Sequence, residues 1–325
     1  MRAARPATRR TRQAAFARYA ALLCLCAYAL ARFGPLWPAL ALLSLGMPIL
    51  ALLGLLGALV CLARTRDRFA VLICLLATAS LVDSLQATLW PAWPAPPAGA
   101  QTIRIVEFNA WMENHDTEGA TRWILAQHPE AVVLLEAAGA GQIIADRLAA
   151  AFPYRASCHR KAPCSTIILS RTPPLEIRPL ARGDAENRRA LSAVLARFPD
   201  YTLVAVHLSR PTSAARQIVE VEQLIADLGG LQDQHLIVTG DFNAPLWSSP
   251  MRRLGEGLQL RAIAPDMPSW PVPGTGSALP PIFPIDHAWL GSGWAAARQT
   301  RGAAIGSDHY PALIALLRSD AADVH

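Results

Sequence analysis

Apolar residues are distributed in two different ways along this chain of 325 residues. Up to about residue 90 they form long runs: residues 40–62 carry no charge, and residues 69–90 carry only Asp83. A shorter apolar run before them is bounded by Arg18 and Arg32. About 20 apolar residues are enough to cross a hydrocarbon core of roughly 30 Å. The pattern therefore predicts an integral membrane anchor over residues 1–90, with about three transmembrane helices near 14–33, 38–62 and 69–90.

Beyond residue 100 the apolar runs are short and are bounded by Gly, Pro and Asp. This pattern is typical of strands that alternate with helices. We expect a linker rich in Pro and Ala at 91–100, a mixed α/β domain at 101–319 and a tail at 320–325. The predicted helices cover 117–127, 141–151 and 213–228. The predicted strands cover 103–110, 131–137, 166–170, 190–197, 202–207, 235–239, 285–289 and 312–317.

Arginines are placed unevenly around the predicted spans, with five before the first span and three between the last two. Basic residues favour the cytoplasmic side of a membrane. The α/β domain is therefore expected on the periplasmic or extracellular side of the cytoplasmic membrane. A cleaved signal peptide that ends near Ala31 is the alternative for the first span, and it exports the domain equally. Trp90 and Trp93 are expected at the outer interface, where aromatic rings collect.

The net charge of +6 belongs to the predicted anchor. Residues 1–100 hold ten basic and two acidic residues, which gives +8, whereas residues 101–325 hold twenty basic and twenty-two acidic residues, which gives −2. A nucleic-acid-binding domain is ordinarily basic. The charge of the domain therefore does not support a nucleic-acid partner, and no feature of the sequence identifies a protein partner.

Two of the six cysteines, Cys158 and Cys164, lie in the polar domain. In an oxidising compartment such a pair is a candidate disulfide, and the alternative is a pair of free loop thiols. The other four cysteines lie in the apolar spans and are expected to serve as small packing residues.

Carboxylates and amides follow predicted strands at several points. Glu136 ends an apolar run, where a lone charge is costly unless it binds a hard cation such as Mg²⁺. The alternative is an ordinary Glu at a strand end. Asp241 and Asn243 in TGDFNAP are separated by one residue, so extended backbone would point both side chains to the same face.

Three histidine motifs complete the set of candidate residues. Asp308 and His309 are adjacent in GSDHYP, and Asp286 in PIDHAW is a natural partner that would fix the tautomer of His309. His207 ends an apolar strand in VHLS. Each motif by itself can also be explained by a purely structural role, as a hydrogen bond in a loop or in the core.

Read in order, EFNAW, LLEA, VHLS, TGDFNAP, PIDHAW and GSDHYP resemble the motifs of the endonuclease/exonuclease/phosphatase superfamily of metal-dependent phosphodiesterases. The resemblance implies an α/β (α+β) fold with two packed β-sheets flanked by helices, the DNase I-like four-layer sandwich. It implies Mg²⁺ or Mn²⁺ as cofactor, with metal ligands Glu136, Asn109 and Asp308. It implies that Asp241 orients or deprotonates the attacking water and that Asp286 supports His309. The phosphate-binding residues implied are Asn109, His207, Asn243 and His309, and the catalytic set is Asp241, His309, His207, Asn243 and Asp286.

The sequence thus predicts a membrane-anchored, divalent-metal-dependent phosphoesterase that acts by in-line attack of water on a phosphate ester. Its substrate is either a lipid headgroup or a nucleic acid, and the near-neutral domain leans towards the lipid. The alternative is a membrane-tethered binding or scaffold protein that keeps the fold without turnover.

Overall fold

The computed structural model describes residues 9–32, 40–65, 68–158, 164–180, 191–231, 233–264 and 268–319. The predicted tail at 320–325 lies outside these ranges. The chain divides into two compact units, Met1–Leu89 with Trp247–Ser249, and Trp90–Leu246 with Pro250–His325.

The N-terminal unit is helical. Its helices are α1 (Arg9–Arg32), α2 (Ala41–Leu45), α3 (Met47–Thr65) and α4 (Arg68–Leu89). By length and composition three helices are able to cross a membrane, α1, α3 and residues 68–86 of α4. The predicted second span at 38–62 covers α2 and most of α3, between which the chain turns at Gly46, and residues 38 and 39 lie outside the described ranges. Pro48 is the second residue of α3, in the first helical turn, where a backbone N–H has no intrahelical partner.

A polar cluster joins α1 to α4. Asp83 Oδ2 accepts hydrogen bonds from the Tyr28 hydroxyl at 2.6 Å and from Arg32 at 2.5 Å. The Ser84 hydroxyl donates to the Tyr28 oxygen at 3.1 Å. A carboxylate within an apolar span is costly unless it is paired in this way. Cleavage near Ala31 would remove Tyr28 from this cluster.

The C-terminal unit contains two six-stranded sheets. The first sheet consists of β1 (Ile103–Asn109), β2 (Ala131–Leu135), β3 (Tyr154–Ser157), β4 (Ile167–Ser170), β11 (Trp294–Arg301) and β12 (Ala312–Arg318). The second consists of β5 (Glu176–Pro179), β6 (Ser192–Arg197), β7 (Thr202–His207), β8 (Leu236–Asp241), β9 (Arg261–Ile263) and β10 (Asp286–Leu290). Their strand orders are β11-β12-β1-β2-β4-β3 and β5-β6-β7-β8-β10-β9. The pairs β1–β2 and β7–β8 are parallel, and the other pairs are antiparallel.

Three apolar clusters show that this unit has four layers. Alternate residues of both sheets, such as Ile105, Val133, Leu203 and Ile237, meet in one buried cluster between the sheets. The outer face of the first sheet packs against α5 (Thr117–Ala126) and α6 (Ala140–Leu148). The outer face of the second packs against α7 (Ala214–Leu228) and α8 (Ser249–Leu258). The predicted fold class, two packed sheets flanked by helices, is confirmed.

The predicted linker at 91–100 needs correction, because its first part belongs to the core of this unit. Trp93 is 8% exposed and packs in the cluster between the sheets. The Arg261 guanidinium lies 4.7 Å from the centre of its ring and donates to the Ala92 carbonyl. Trp93 therefore does not serve as an aromatic anchor at the membrane interface. Trp90, in contrast, is 63% exposed.

The two tryptophans make a matched pair for a stability test. We expect Trp93→Ala to lower the free energy of unfolding of the C-terminal unit by about 3 kcal/mol, since it empties a buried site between the sheets. Trp90→Ala is expected to change it by less than about 0.5 kcal/mol. Pulse proteolysis of the full chain in detergent and urea measures both values. Equal values for the two variants would contradict the assignment of Trp93 to the core.

Candidate active site

Strand register brings three of the predicted residues into one row. His207 at the end of parallel β7 pairs with Asp241 at the end of β8, and Asp241 pairs with Asp286 at the start of β10. Residues in register on neighbouring strands point to the same face. Here that face is the inner one, because alternate residues of the same strands enter the cluster between the sheets. Asn109, which ends β1 of the facing sheet, donates from Nδ2 to Asp241 Oδ2 at 3.1 Å.

His309 is held between two carboxylates. Its Nδ1 lies 2.9 Å from Asp286 Oδ2, and its Nε2 lies 3.7 Å from Asp241 Oδ2. Burial alone would lower the pKa of His309, but the negative charges of Asp286 and Asp241 outweigh it and raise the pKa to about 10. This shift favours the imidazolium form of His309, in which both ring nitrogens carry a proton and Nδ1 donates to Asp286 Oδ2.

Asp241 is the centre of the site. Besides His309, the ring of His207 approaches Oδ2 of Asp241 at 3.7 Å. Burial raises the pKa of Asp241, the charge of Asp286 raises it further, and the two histidines partly offset this. A carboxylate whose affinity for protons is raised in this way is suited to accept one.

Asn243 reaches the same carboxylate by a route that differs from the prediction. The prediction of extended backbone from Asp241 to Asn243 is wrong, because the strand ends at Asp241 and Asn243 adopts a φ of 51°. Its backbone N–H donates to Asp241 Oδ1 at 2.8 Å, the turn that Asp side chains favour. Its side-chain Nδ2 lies 3.3 Å from Asp241 Oδ2. The two side chains therefore meet, as predicted, although not for the predicted reason.

The three predicted metal ligands lie in different environments. Glu136 follows β2 directly with a φ of 48°, a conformation that costs energy for a residue other than glycine. Asn109 Nδ2 lies 3.4 Å from Glu136 Oε1, while Asn109 Oδ1 accepts from the Trp111 N–H at 3.1 Å. In this orientation Asn109 presents its amide hydrogens, and not its oxygen, to the carboxylates. Asp308 accepts a hydrogen bond from the Trp270 indole at 3.3 Å.

The charges of the site fit a divalent cation. Among the described residues, the acid and histidine atoms that lie within 4.8 Å of one another belong to Asp241, Asp286 and His309. Because the raised pKa of His309 favours its charged form, which has no free lone pair for a metal, this trio resembles a proton relay more than a metal cage. With Glu136 and Asp308 included, the four carboxyl groups of the site outnumber its two histidines, His207 and His309. Hard cations bind such sets of oxygen ligands.

Sequence reasoning missed a further carboxyl group beneath the site. Glu107 is 1% exposed on β1, two residues before Asn109 and on the same inner face. Its Oε1 has no hydrogen-bond partner among the described residues. Burial raises the pKa of Glu107 well above its usual value, and the charges of Asp286 and Asp241 raise it further. The signal was present in the alternation of IRIVEFN, which places Glu107 on the inward face together with Ile105.

The burial of Glu107 makes the stability of the fold depend on pH. A raised folded pKa means that stability from Glu107 is present below pH 4.5 and is lost as the pH rises through the folded pKa. Glu107→Gln keeps the shape and removes the ionisation, so we expect it to be at least as stable as the parent at pH 8. The exposed control Glu113→Gln is expected to change nothing. Thermal unfolding of both variants and of the parent at pH 5 and pH 8 measures the change in stability with pH. If Glu107→Gln loses as much stability between pH 5 and pH 8 as the parent does, Glu107 is not the group responsible for that loss.

Two polar side chains that were not predicted hold the site in place. The Ser307 hydroxyl donates to the Asn109 carbonyl at 2.7 Å and accepts from the His309 N–H at 3.1 Å, so it ties the GSDHYP loop to β1. Gln299 Nε2 on β11 donates to the Asp286 carbonyl at 2.9 Å. Neither role is visible in the sequence, because each depends on a contact across many residues.

A four-layer sandwich with carboxylates, amides and histidines gathered at one edge of its sheets defines the class of DNase I-like proteins. Residues 106–309 match the Endonuclease/Exonuclease/phosphatase family, and the chain belongs to that family. Members of the superfamily are phosphoester hydrolases. The predicted membership is confirmed.

Solved structures similar to this chain share its fold at low sequence identity. They include SmcL, with 14% identity, a TM-score of 0.54 and coverage of 66% of this chain and 99% of that one. Sphingomyelinase C from Streptomyces griseocarneus has 16% identity, a TM-score of 0.50 and the same coverage. A mutant of beta toxin from Staphylococcus aureus with bound magnesium ions has 12% identity, a TM-score of 0.51 and again the same coverage. No curated protein sequence matches the chain.

Proposed function

We propose that this protein is a membrane-anchored, divalent-metal-dependent phosphodiesterase that cleaves its substrate by in-line attack of water. The observation that carries the proposal is the setting of Asp241. Its Oδ2 is approached by two imidazoles and two side-chain amides, and one of those imidazoles is kept charged by a second carboxylate.

Each group of this cluster has a role in the proposed reaction. Asp241 orients the attacking water and takes its proton. His309, charged through its contact with Asp286, and His207 donate hydrogen bonds to the phosphate oxygens, whose negative charge grows in the transition state. The Asn243 amide donates to the same oxygens. Asn109 contacts both Asp241 and Glu136 and holds these two carboxylates beside each other.

Glu136 and Asp308 are the residues that would hold Mg²⁺ or Mn²⁺. The bound ion would neutralise charge on the phosphate and on its leaving oxygen. The magnesium ions in the similar beta toxin structure support a divalent metal, and the contact of Glu136 with Asn109 places its carboxylate beside Asp241.

The location of the domain outside the cytoplasm is part of the proposal. Five arginines lie between residue 1 and the first turn of α1, and Arg64, Arg66 and Arg68 lie at the junction of α3 and α4 in the sequence, and such clusters favour the cytoplasmic side. Cys158 and Cys164 are joined as a disulfide with Cα atoms 5.7 Å apart, a bond that persists in oxidising compartments. Both features agree with a domain that is exported and tethered to the membrane.

We propose a phospholipid headgroup as the substrate class. The domain carries a charge of −2 over residues 101–325, which disfavours a long anionic nucleic acid. A domain tethered to the membrane is also held close to lipid. Release of headgroup phosphate from phospholipid vesicles, compared with cleavage of linear DNA at equal metal concentration, separates the two substrate classes.

Metal removal tests the proposed reaction. The full chain in detergent should hydrolyse bis(p-nitrophenyl) phosphate with Mg²⁺ or Mn²⁺, and EDTA should lower the rate by at least about a hundredfold. Added metal should restore it. Turnover that is unchanged by EDTA would overturn the metal-dependent mechanism, and no turnover on any phosphodiester with metal present would favour the non-catalytic scaffold.

A further inference from the structure

A groove of about 940 Å³ runs along α1 and α3 within the helical unit. One end of the groove is basic and the rest is apolar. The basic end is formed by Arg9 and Arg12 at the start of α1 and by Arg64 near the end of α3. The apolar part is lined by residues that include Phe16, Ala17, Leu53, Leu56 and Gly57.

The three arginines have no acidic neighbour in the described part of the helical unit. The acidic residues of the first 100 positions are Asp67, which lies outside the described residues, and Asp83. Asp83 is engaged by Arg32, at the opposite end of α1. Arg64 is oriented by a hydrogen bond to Gln13 Oε1 at 2.5 Å. Three guanidinium groups that line one groove, with no carboxylate beside them among the described residues of the helical unit, form a site for an anion, and phosphate suits their paired N–H donors.

The apolar part of the groove exists because small residues line its floor. A Cβ on Gly57 would lie 3.0 Å from the Ala17 carbonyl, so α1 and α3 approach closely at this point. Larger side chains flank the floor and are open to their surroundings, with Phe16 at 77% exposure and Leu56 at 50%. An exposed apolar channel is stable only against another apolar surface, which within a membrane is a lipid chain.

The length of the groove matches one leaflet. Leu53 and Arg64 are eleven residues apart on α3, which corresponds to about 16 Å at 1.5 Å per residue. Half of a hydrocarbon core of about 30 Å is about 15 Å. An acyl chain that begins at the arginines would therefore end near Leu53, at the middle of the bilayer.

We propose that this groove binds one anionic phospholipid of the cytoplasmic leaflet, with its phosphate at Arg9, Arg12 and Arg64 and an acyl chain along Phe16, Leu56 and Leu53. The proposal rests on the membrane insertion included in the proposed function. It adds a lipid site in the anchor that is separate from the residues assigned to hydrolysis. Basic pockets between transmembrane helices on the cytoplasmic side select anionic headgroups by charge.

Native mass spectrometry of the full chain, extracted from membranes into detergent, tests the site. Dioleoylphosphatidylglycerol and dioleoylphosphatidylcholine are titrated separately, and the retained lipid is counted. We expect the parent to retain the anionic lipid preferentially. The variant Arg12→Gln/Arg64→Gln should lose affinity for it by about fivefold per arginine, while retention of phosphatidylcholine stays unchanged.

A matched control removes the same charge from the same end of the helices. Arg10→Gln/Arg68→Gln affects exposed arginines that do not line the groove, and it should retain the anionic lipid as the parent does. Arg12→Lys/Arg64→Lys keeps the charge and should retain most of the preference. These three variants separate loss of the site from a general loss of basic charge or of folding.

Each outcome decides the proposal independently of catalysis, because the readout is bound lipid. Equal loss of anionic lipid in the groove variant and in its matched control would overturn the site and leave the anchor intact. A parent without preference between the two lipids would do the same. Full release of the chain from membranes by alkaline carbonate would overturn the site together with membrane insertion, while hydrolysis of the soluble diester would still be measurable.

Discussion

Asp241→Asn is expected to lower kcat for phosphodiester hydrolysis by about a thousandfold, with a small change in KM. In the proposed reaction Asp241 takes the proton of the attacking water, and a positioned general base contributes about a hundredfold to ten-thousandfold. The substitution keeps the size of the side chain and its place among Asn109, Asn243 and the two histidines. The loss should therefore fall on the chemical step and spare binding.

The same variant should not be less stable than the parent at pH 8. Burial and the charge of Asp286 raise the pKa of Asp241, so its ionised form costs folding free energy that an amide avoids. Asp200→Asn is the matched control, because Asp200 is an exposed residue between β6 and β7 that pairs with Arg318. Steady-state kinetics and thermal unfolding on the two variants are sufficient. An Asp241→Asn enzyme with a kcat within tenfold of the parent would remove Asp241 from the role of base.

Asp286→Asn is expected to lower kcat by about a hundredfold and to move the alkaline limit of activity to lower pH. In the parent the charges of Asp286 and Asp241 raise the pKa of His309 to about 10, so His309 stays charged across the neutral range. Without the Asp286 charge and its hydrogen bond to Nδ1, burial opposes the charged form, and the pKa of His309 falls. The ring then loses its ability to donate to a phosphate oxygen at a pH where the parent is active.

The free energy of unfolding should also change with the titration of His309. The folded pKa of His309 lies above its unfolded value of about 6.5. The stability it contributes is therefore fully present below pH 6.5 and is lost as the pH rises through about 10. A pH–rate profile and an NMR titration of the His309 ring compare parent and Asp286→Asn, with Asp200→Asn again as control. An unchanged alkaline limb in Asp286→Asn would show that Asp286 does not maintain the charge of His309.

The inner strands of the two sheets were predictable from the sequence, and the edge strands were not. The eight strands that the sequence predicts are the eight inner strands of the two sheets, whereas all four edge strands, β3, β5, β9 and β11, were missed. Inner strands are buried on both faces and leave apolar runs, as in AVVLL of β2. Edge strands such as β5, with no fully buried residue, leave no such signal. Helix α8, rich in polar residues and glycine, was missed for the same reason.

For the candidate site, the sequence indicated the residues but not the contacts between them. Residue type at a strand end was enough to indicate Asn109, Glu136, His207, Asp241, Asp286 and His309, because the backbone leaves a buried run there and polar side chains can converge. Which of them touch was not predictable, because the register between β7, β8 and β10 places His207 and Asp286 on either side of Asp241. The turn at Asn243 and the burial of Trp93 between the sheets likewise depend on contacts distant in the chain.

By itself, therefore, the sequence determined the apolar helices of the N-terminal unit, the inner strands of the sandwich and the residue types available at its site. These properties are set by local composition and by the two-residue and 3.6-residue repeats of strands and helices. Only the tertiary structure decided the raised pKa of His309, the burial of Glu107 and the groove between α1 and α3. Each of these depends on the distance between side chains far apart in the chain, and such distances fix both the electrostatic energy and the shape of a cavity.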